Sequence, residues 1–297
     1  MNMVRKIIVD DYISDIKKIL RGPKSGREEI LRKFIYRFRK INNRHFQKSL
    51  TVEQTVGRLL EPGWLWKVRD FDPRQWRRVL ETVRRRGSKI MESPAEAHLL
   101  LYPGFGRFNG RVYRLDGHPV IGCAPDFPRC SGDNLKVLLA HEYAHFVRWA
   151  KIGVPPESNP IYAMIYEEGW AVWLSMKLLP ELDTNRLFMS NLHGLIGMPN
   201  PAGGYRSWCR KHLQEIISRS RKVLGSKTDK DLATLFQCRR FQGDETPIRV
   251  GYYLGYRMIE MLVNKNRMEL GQLLAEKPTL RKVSRWLGEL EDHSHKP

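Results

Sequence analysis

The chain has 297 residues, enough for one large domain or two modest ones, and a hydrophobic fraction of 41% supports a substantial core and excludes wholesale disorder. Against 32 Asp and Glu stand 52 Lys and Arg, and the formal net charge of +20 favours anionic partners: nucleic acid, acidic peptides or anionic lipid surfaces. No apolar run approaches the roughly 18–20 residues of a membrane span, so no transmembrane segment is expected. The start, Met-Asn-Met-Val-Arg-Lys-Ile-Ile-Val-Asp-Asp, has too short an apolar stretch for a signal peptide. Cys123, Cys130, Cys209 and Cys238 match neither a zinc ribbon nor a CxxC motif. They read as reduced thiols of a cytoplasmic protein, with a structural metal on Cys123 and Cys130 as the lesser alternative.

Taken in chain order, residues 1–92 read as a basic, mostly helical region. Arg32-Lys33, Arg37, Arg39-Lys40 and Arg44 interleave with Phe34, Tyr36 and Phe38, and Arg77-Arg78 and Arg84-Arg85-Arg86 form a second cluster. Such a mixture reads first as a set of solvated helix faces, with nucleic-acid binding as the functional alternative. Asp72-Pro73 is an N-cap followed by Pro at the first helical position. The helix it opens carries Trp76, Val79, Leu80 and Val83 on one face and is expected to stop at Gly87. Short apolar stretches at 97–102 and 119–124, with hairpin turn signals at Asn109-Gly110 and Asp116-Gly117, predict a small sheet between residues 97 and 125. Residues 134–152 form the clearest helix, ended by Gly153 and Pro155-Pro156. The next opens at Asn159-Pro160, stops before Pro180 and is apolar nearly all round, which predicts burial. Residues 181–207, broken by Pro199-Asn200-Pro201 and Gly203-Gly204, read as irregular, either a plain loop or a lid. From Trp208 onward the chain reads as helical again.

His141-Glu142-Tyr143-Ala144-His145 is an H-E-x-x-H sequence inside the clearest helix. Residues four apart lie one turn on along the same face, so both imidazoles can reach one metal ion. Glu142 projects about 100° round from His141 and can meet a water on that metal without binding the metal itself. A catalytic zinc site needs a third protein ligand and an open position. Glu168 is the choice, a carboxylate on the apolar stripe of Ile161, Met164, Ile165, Ala171 and Val172, where it is costly unless paired or bound to a cation. Glu167 is its competitor, and a salt bridge to an arginine is the structural alternative for either. His193 and His212 lie in weaker contexts, and His98 and His118 fall in the sheet region.

His141 to Arg148, H-E-Y-A-H-F-V-R, resembles the H-E-Y-H-H-x-x-R of a family of predicted zinc-dependent proteases named domain of unknown function 2268. Glu168-Gly169-Trp170-Ala171 is similar to that family's E-G-L-A, and Gly251-Tyr252-Tyr253-Leu254-Gly255-Tyr256 to its G-Y-x-x-G-Y. The resemblance covers roughly residues 97–265. It implies a gluzincin-type metallopeptidase whose third zinc ligand is Glu168, and a sheet edge near Pro119–Ala124 that pairs with extended substrate. It also implies that Tyr252, or Tyr256 one turn on, donates to a developing oxyanion. The family carries an acid four residues after the glutamate ligand; here that position is Val172.

The expected fold is therefore α+β and zincin-like, a small sheet packed on the H-E-x-x-H helix with helical N- and C-terminal regions. The expected divisions are a basic N-terminal region over 1–92, a catalytic core over 93–200 and a helical C-terminal subdomain over 201–297. The expected activity is zinc-dependent hydrolysis of a peptide or protein substrate. Zn2+ sits on His141, His145 and Glu168, Glu142 is the general base, and Tyr252 assists. The alternative is a nucleic-acid-binding protein with a structural or vestigial zinc site, held to its polyanion by the basic N-terminal region.

Overall fold

The structure is a computed structural model that describes residues 7–45, 50–91, 96–106, 109–127, 130–153, 159–188, 204–236, 249–265 and 268–294. It is a mixed α and β protein, mainly helical, with one four-stranded sheet. No described helix is long and apolar enough to cross a membrane. The chain divides into two compact units: residues 1–88 with 93–142, and residues 89–92 with 143–297.

The first unit holds the sheet. Strands β1 (Ile8–Asp11), β2 (His98–Leu101), β3 (Gly110–Leu115) and β4 (His118–Cys123) lie in the order β1-β2-β4-β3. β1 and β4 run parallel to β2, and β3 runs antiparallel to β4. Leu99, Leu100 and Leu101 are fully buried in succession, as expected for a parallel strand covered on both faces. Asp116 and Gly117, at φ +47° and +88°, make the two-residue turn between β3 and β4, the left-handed pair such a hairpin requires.

Asn109-Gly110 is not a turn, contrary to the sequence reading. Gly110 opens β3 opposite Cys123, and the Asn109 carbonyl accepts from Ala124 N, so the dipeptide extends the ladder. β1 is the strand the sequence reading did not anticipate. The helices of this unit are α1 (Tyr12–Arg21), α2 (Arg27–His45), α3 (Val52–Leu60), α4 (Pro62–Lys67) and α5 (Pro73–Met91). α5 begins where Asp72-Pro73 places it, with Asp72 Oδ1 accepting from Arg74 N at 2.9 Å. It does not stop at Gly87. That glycine is buried within the helix, where lacking a side chain costs only about 1 kcal/mol and cannot by itself end it.

Asp126, just past β4, is 1% exposed and accepts from Trp64 Nε1, Gly104 N and Phe105 N at 2.8–3.0 Å. Three N–H donors satisfy a buried carboxylate that would otherwise be costly. They also pin α4 and the loop after β2 to the end of β4.

α6 (Gly132–Ile152) is one uninterrupted helix, and the division between the units falls inside it. Every residue from Val137 to Arg148 is buried. Gly153, at φ +87°, closes it by donating its N–H to Trp149 O, the left-handed terminator expected there.

In the second unit α7 (Ile161–Leu178) starts and ends where the two prolines place it, and is buried nearly all round. Its first amides, Ile161 N and Tyr162 N, donate to the carbonyls of Ser226 and Leu224, so a distant loop caps the helix. The remaining helices are α8 (Thr184–Leu187), α9 (Tyr205–Lys211), α10 (Leu213–Arg221), α11 (Asp229–Phe236), α12 (Val250–Lys265), α13 (Leu270–Ala275) and α14 (Leu280–Ser294). Most of the stretch read as irregular, residues 189–203, lies outside the described residues, as do His193 and Cys238.

α7 and α12 cross backbone to backbone. A β-carbon at Gly255 would lie 2.8 Å from Gly169 Cα and N and nearer still to Ile165 O, and one at Gly169 would lie 2.5 Å from Gly255 Cα. Only two glycines permit that approach.

Candidate metal centre

His141 and His145 are each 5% exposed, and Glu168 is 9% exposed. One ligating atom from each of the three lies within 4.8 Å of the others, and among the described residues no other group of three His, Cys, Asp or Glu does the same. The two histidines meet because they are one turn apart on α6. Glu168 is carried by α7, at the turn where Gly169 lets α12 press against the backbone. His145 Nε2 and Glu168 Oε2 are 3.6 Å apart, too long for a hydrogen bond and suited to two ligands sharing a cation. This buried group can hold a metal ion.

The competition between Glu167 and Glu168 is resolved by an arginine the sequence reading left without a role. Arg148 is fully buried and donates through Nε to Glu167 Oε1 at 2.9 Å. Its Nη1 donates to the carbonyls of Leu273 and Leu274, and its Nη2 to that of Glu276. The guanidinium thus closes the carbonyl end of α13, where a cation is favoured. Tyr166 Oη adds a donation to Leu273 O at 2.8 Å. The other Glu167 oxygen accepts from Trp149 Nε1 at 3.0 Å, and the Trp149 ring lies against the His145 imidazole at 5.3 Å between centroids. Glu167 therefore takes the arginine partner, and the indole that donates to it lies against His145. Val172, where the acid of the resembling family would fall, is fully buried. Arg148 belongs to the H-E-Y-A-H-F-V-R stretch, so the signal was in the sequence, but its partners lie 19 to 128 positions away.

Glu142 is 5% exposed and belongs to the first unit. It passes over the start of β3: a β-carbon at Gly110 would lie 2.8 Å from Glu142 Cγ and 2.9 Å from its Oε1. Any larger residue at 110 would displace the carboxylate. Glu142 also adds to the upward push that burial exerts on the Tyr102 hydroxyl and the Cys123 thiol. Both groups stay protonated beside it. Cys123, Cys130 and Cys209 are free thiols.

β4 is not a sheet edge, contrary to the expectation for Pro119–Ala124. Ile121, Gly122 and Cys123 pair with β2 on one side and β3 on the other. The outer edge on that side belongs to β3, the strand that carries Gly110.

Tyr252 lies on α12, buried, with its ring 5.9 Å from Phe236 and under the Arg249 guanidinium at 4.1 Å. Arg249 Nη2 donates to its hydroxyl oxygen at 2.5 Å, which strengthens the Tyr252 O–H as a donor. Tyr256 instead donates its proton to Glu260 Oε1. His98 bonds Asp10 between β2 and β1, His118 is exposed at the start of β4, and His212 stacks on Trp208.

No protein-family model matches the chain, and no curated protein matches it.

Proposed function

We propose that the chain is a zinc-dependent hydrolase of the metallopeptidase type, holding zinc through His141, His145 and Glu168. The observation that carries the reading is the buried His-His-Glu group with Glu142 beside His141 on the same helix. The donor set fits: ligands at about 2.0–2.2 Å in a tetrahedron stand about 3.4 Å apart, close to the 3.6 Å between His145 Nε2 and Glu168 Oε2. The similarity of three short stretches to a predicted zinc-dependent protease family supports the same assignment and the zincin-like fold.

Zinc held by His141, His145 and Glu168 would supply a Lewis acid that polarises a carbonyl and lowers the pKa of a water towards about 7. Glu142 accepts the proton of the attacking water at a carboxylate oxygen and returns it to the departing nitrogen. Trp149, anchored by Glu167, orients the His145 ring. Tyr252 donates its hydroxyl to the developing oxyanion, sharpened by Arg249. The outer edge of β3 receives an extended peptide by strand addition, adjacent to Glu142.

The test is zinc content after reconstitution, with cleavage of quenched fluorescent peptides, for wild type, Glu168→Ala and Glu142→Gln. Wild type and Glu142→Gln should each carry about one zinc, Glu168→Ala should lose it, and only wild type should turn over. A wild type that takes up no zinc overturns the metal assignment. Full turnover by Glu142→Gln removes the general base.

A further inference from the structure

The first unit carries a positively lined groove that shares no residue with the metal group. A groove of about 670 Å3 runs along α5 and the start of β1, lined by Ile7, Arg78, Glu81, Thr82, Arg84, Arg85 and Ser88. Three arginines against one glutamate leave its lining positive. Among the described residues the guanidiniums of Arg78, Arg84 and Arg85 make no ion pair, and Arg84 Nε is buried without a hydrogen-bond partner. Thr82 and Ser88 give their hydroxyl protons to Arg78 O and Arg85 O, so the arginines are the donors that face the groove.

The helix extends the pattern beyond the groove. At about 100° per residue, Arg74, Arg78 and Arg85 fall within about 40° of one another, opposite the buried Trp76, Leu80 and Val83. Arg74, Arg77, Arg78, Arg85 and Lys89 are all exposed, and from 74 to 89 the row spans about 22 Å. A single small anion would engage one or two of these groups, whereas the row matches a linear polyanion. The guanidinium fork matches phosphate oxygens in pairs. Ile7 is the one apolar side chain of the lining, so the groove lacks the side-chain pockets by which peptides are read. We infer that α5 and the Arg78–Arg84–Arg85 groove bind the phosphodiester backbone of a nucleic acid, independently of the metal centre.

The experiment is fluorescence anisotropy of the full chain with a labelled single-stranded oligonucleotide of about 20 nucleotides, across about 50 to 200 mM salt. It is repeated for Arg78→Ala/Arg84→Ala/Arg85→Ala, for the single exposed change Arg85→Glu, and for a charge-matched control, Arg210→Ala/Lys222→Ala/Arg281→Ala. The triple variant should bind about tenfold or more weakly. The slope of log affinity against log salt should become shallower by about 2, near 0.7 per lost phosphate contact. Arg85→Glu should weaken binding in the same direction and serves alone if the triple variant fails to fold. The control should bind as wild type does. Equal weakening of the control would reduce the effect to net charge and overturn the site. So would an absence of wild-type binding at about 50 mM salt, or equally effective competition by a polyglutamate peptide.

Discussion

The α7–α12 crossing makes an unusual demand, because the substitution Gly255→Ala has two opposed effects whose balance reports whether the helices touch. In an isolated or loosely packed helix, alanine is favoured over glycine by about 1 kcal/mol, and the variant would be more stable. At the crossing, the new β-carbon would lie 2.8 Å from Gly169 Cα. The tightest contact, to Ile165 O, would be shorter still, where carbon and carbonyl oxygen need about 3.3 Å, so the helices must part by about 1 Å. A gap of that size forfeits about a quarter to a half of the dispersion energy of each affected atom pair, and α12 is buried along most of its length. Strain and lost packing of about 3–5 kcal/mol outweigh the propensity gain, for a net loss of about 2–4 kcal/mol. At about 2–4 °C per kcal/mol the melting temperature should fall by about 4–16 °C, read by calorimetry or circular dichroism. Gly57→Ala, in the middle of α3 with open space round it, is the contrast and should raise stability by a few tenths to about 1 kcal/mol. A melting temperature for Gly255→Ala equal to or above wild type would refute the close approach of α7 and α12 at Gly169 and Gly255.

Two further outcomes follow from the buried polar groups. Arg148→Met removes the guanidinium donor from Glu167 Oε1 and from the carbonyls of Leu273, Leu274 and Glu276, leaving Trp149 to Glu167 and Tyr166 to Leu273, and should cost about 3–5 kcal/mol in urea denaturation. Adding Glu167→Gln should restore part of that, and a strictly additive double variant would show that the pair is not coupled. Burial pushes the thiols of Cys123 and Cys209 and the hydroxyls of Tyr102, Tyr113 and Tyr205 upward, and burial with Asp126 pushes the Cys130 thiol up to about 12. The unfolded chain releases these protons from about pH 8.5 for thiols and about pH 10 for tyrosines, while the folded chain retains them. The folded state then binds more protons, so stability is fully present below about pH 8.5 and declines as pH rises towards the folded values. A melting temperature that stays level from about pH 8 to 10.5 would contradict the burial of these groups.

What the sequence disclosed depended on how local its cause was. Asp72-Pro73, Asp116-Gly117 and Gly153 act through their own backbone angles and nearest amides, and each element begins or ends where they place it. Gly87 and Asn109-Gly110 carry the same composition signals without the turn, because burial in α5 and pairing with β4 override a preference of about 1 kcal/mol. β1 was illegible because four residues show no reliable period, and its partner His98–Leu101 is about ninety positions away. For the metal group, His141 and His145 were readable from helical spacing. Glu168 was chosen over Glu167 from its apolar stripe, and it is the carboxylate the metal group holds; what the sequence did not disclose is that Arg148 and Trp149 spend their donors on Glu167. The cap of α7 likewise comes from Leu224 and Ser226, which no local pattern announces.

The carbonyls that receive Arg148 have a consequence for how the chain can be shortened. Leu273, Leu274 and Glu276 lie at the end of a six-residue helix that looks dispensable by length. A truncation before Leu270 would take away three of the four acceptors of Arg148, one turn along α6 from His145, and leave Glu167 as its remaining partner. The segment that looks dispensable by length is thus tied by three hydrogen bonds to the helix that carries His141 and His145.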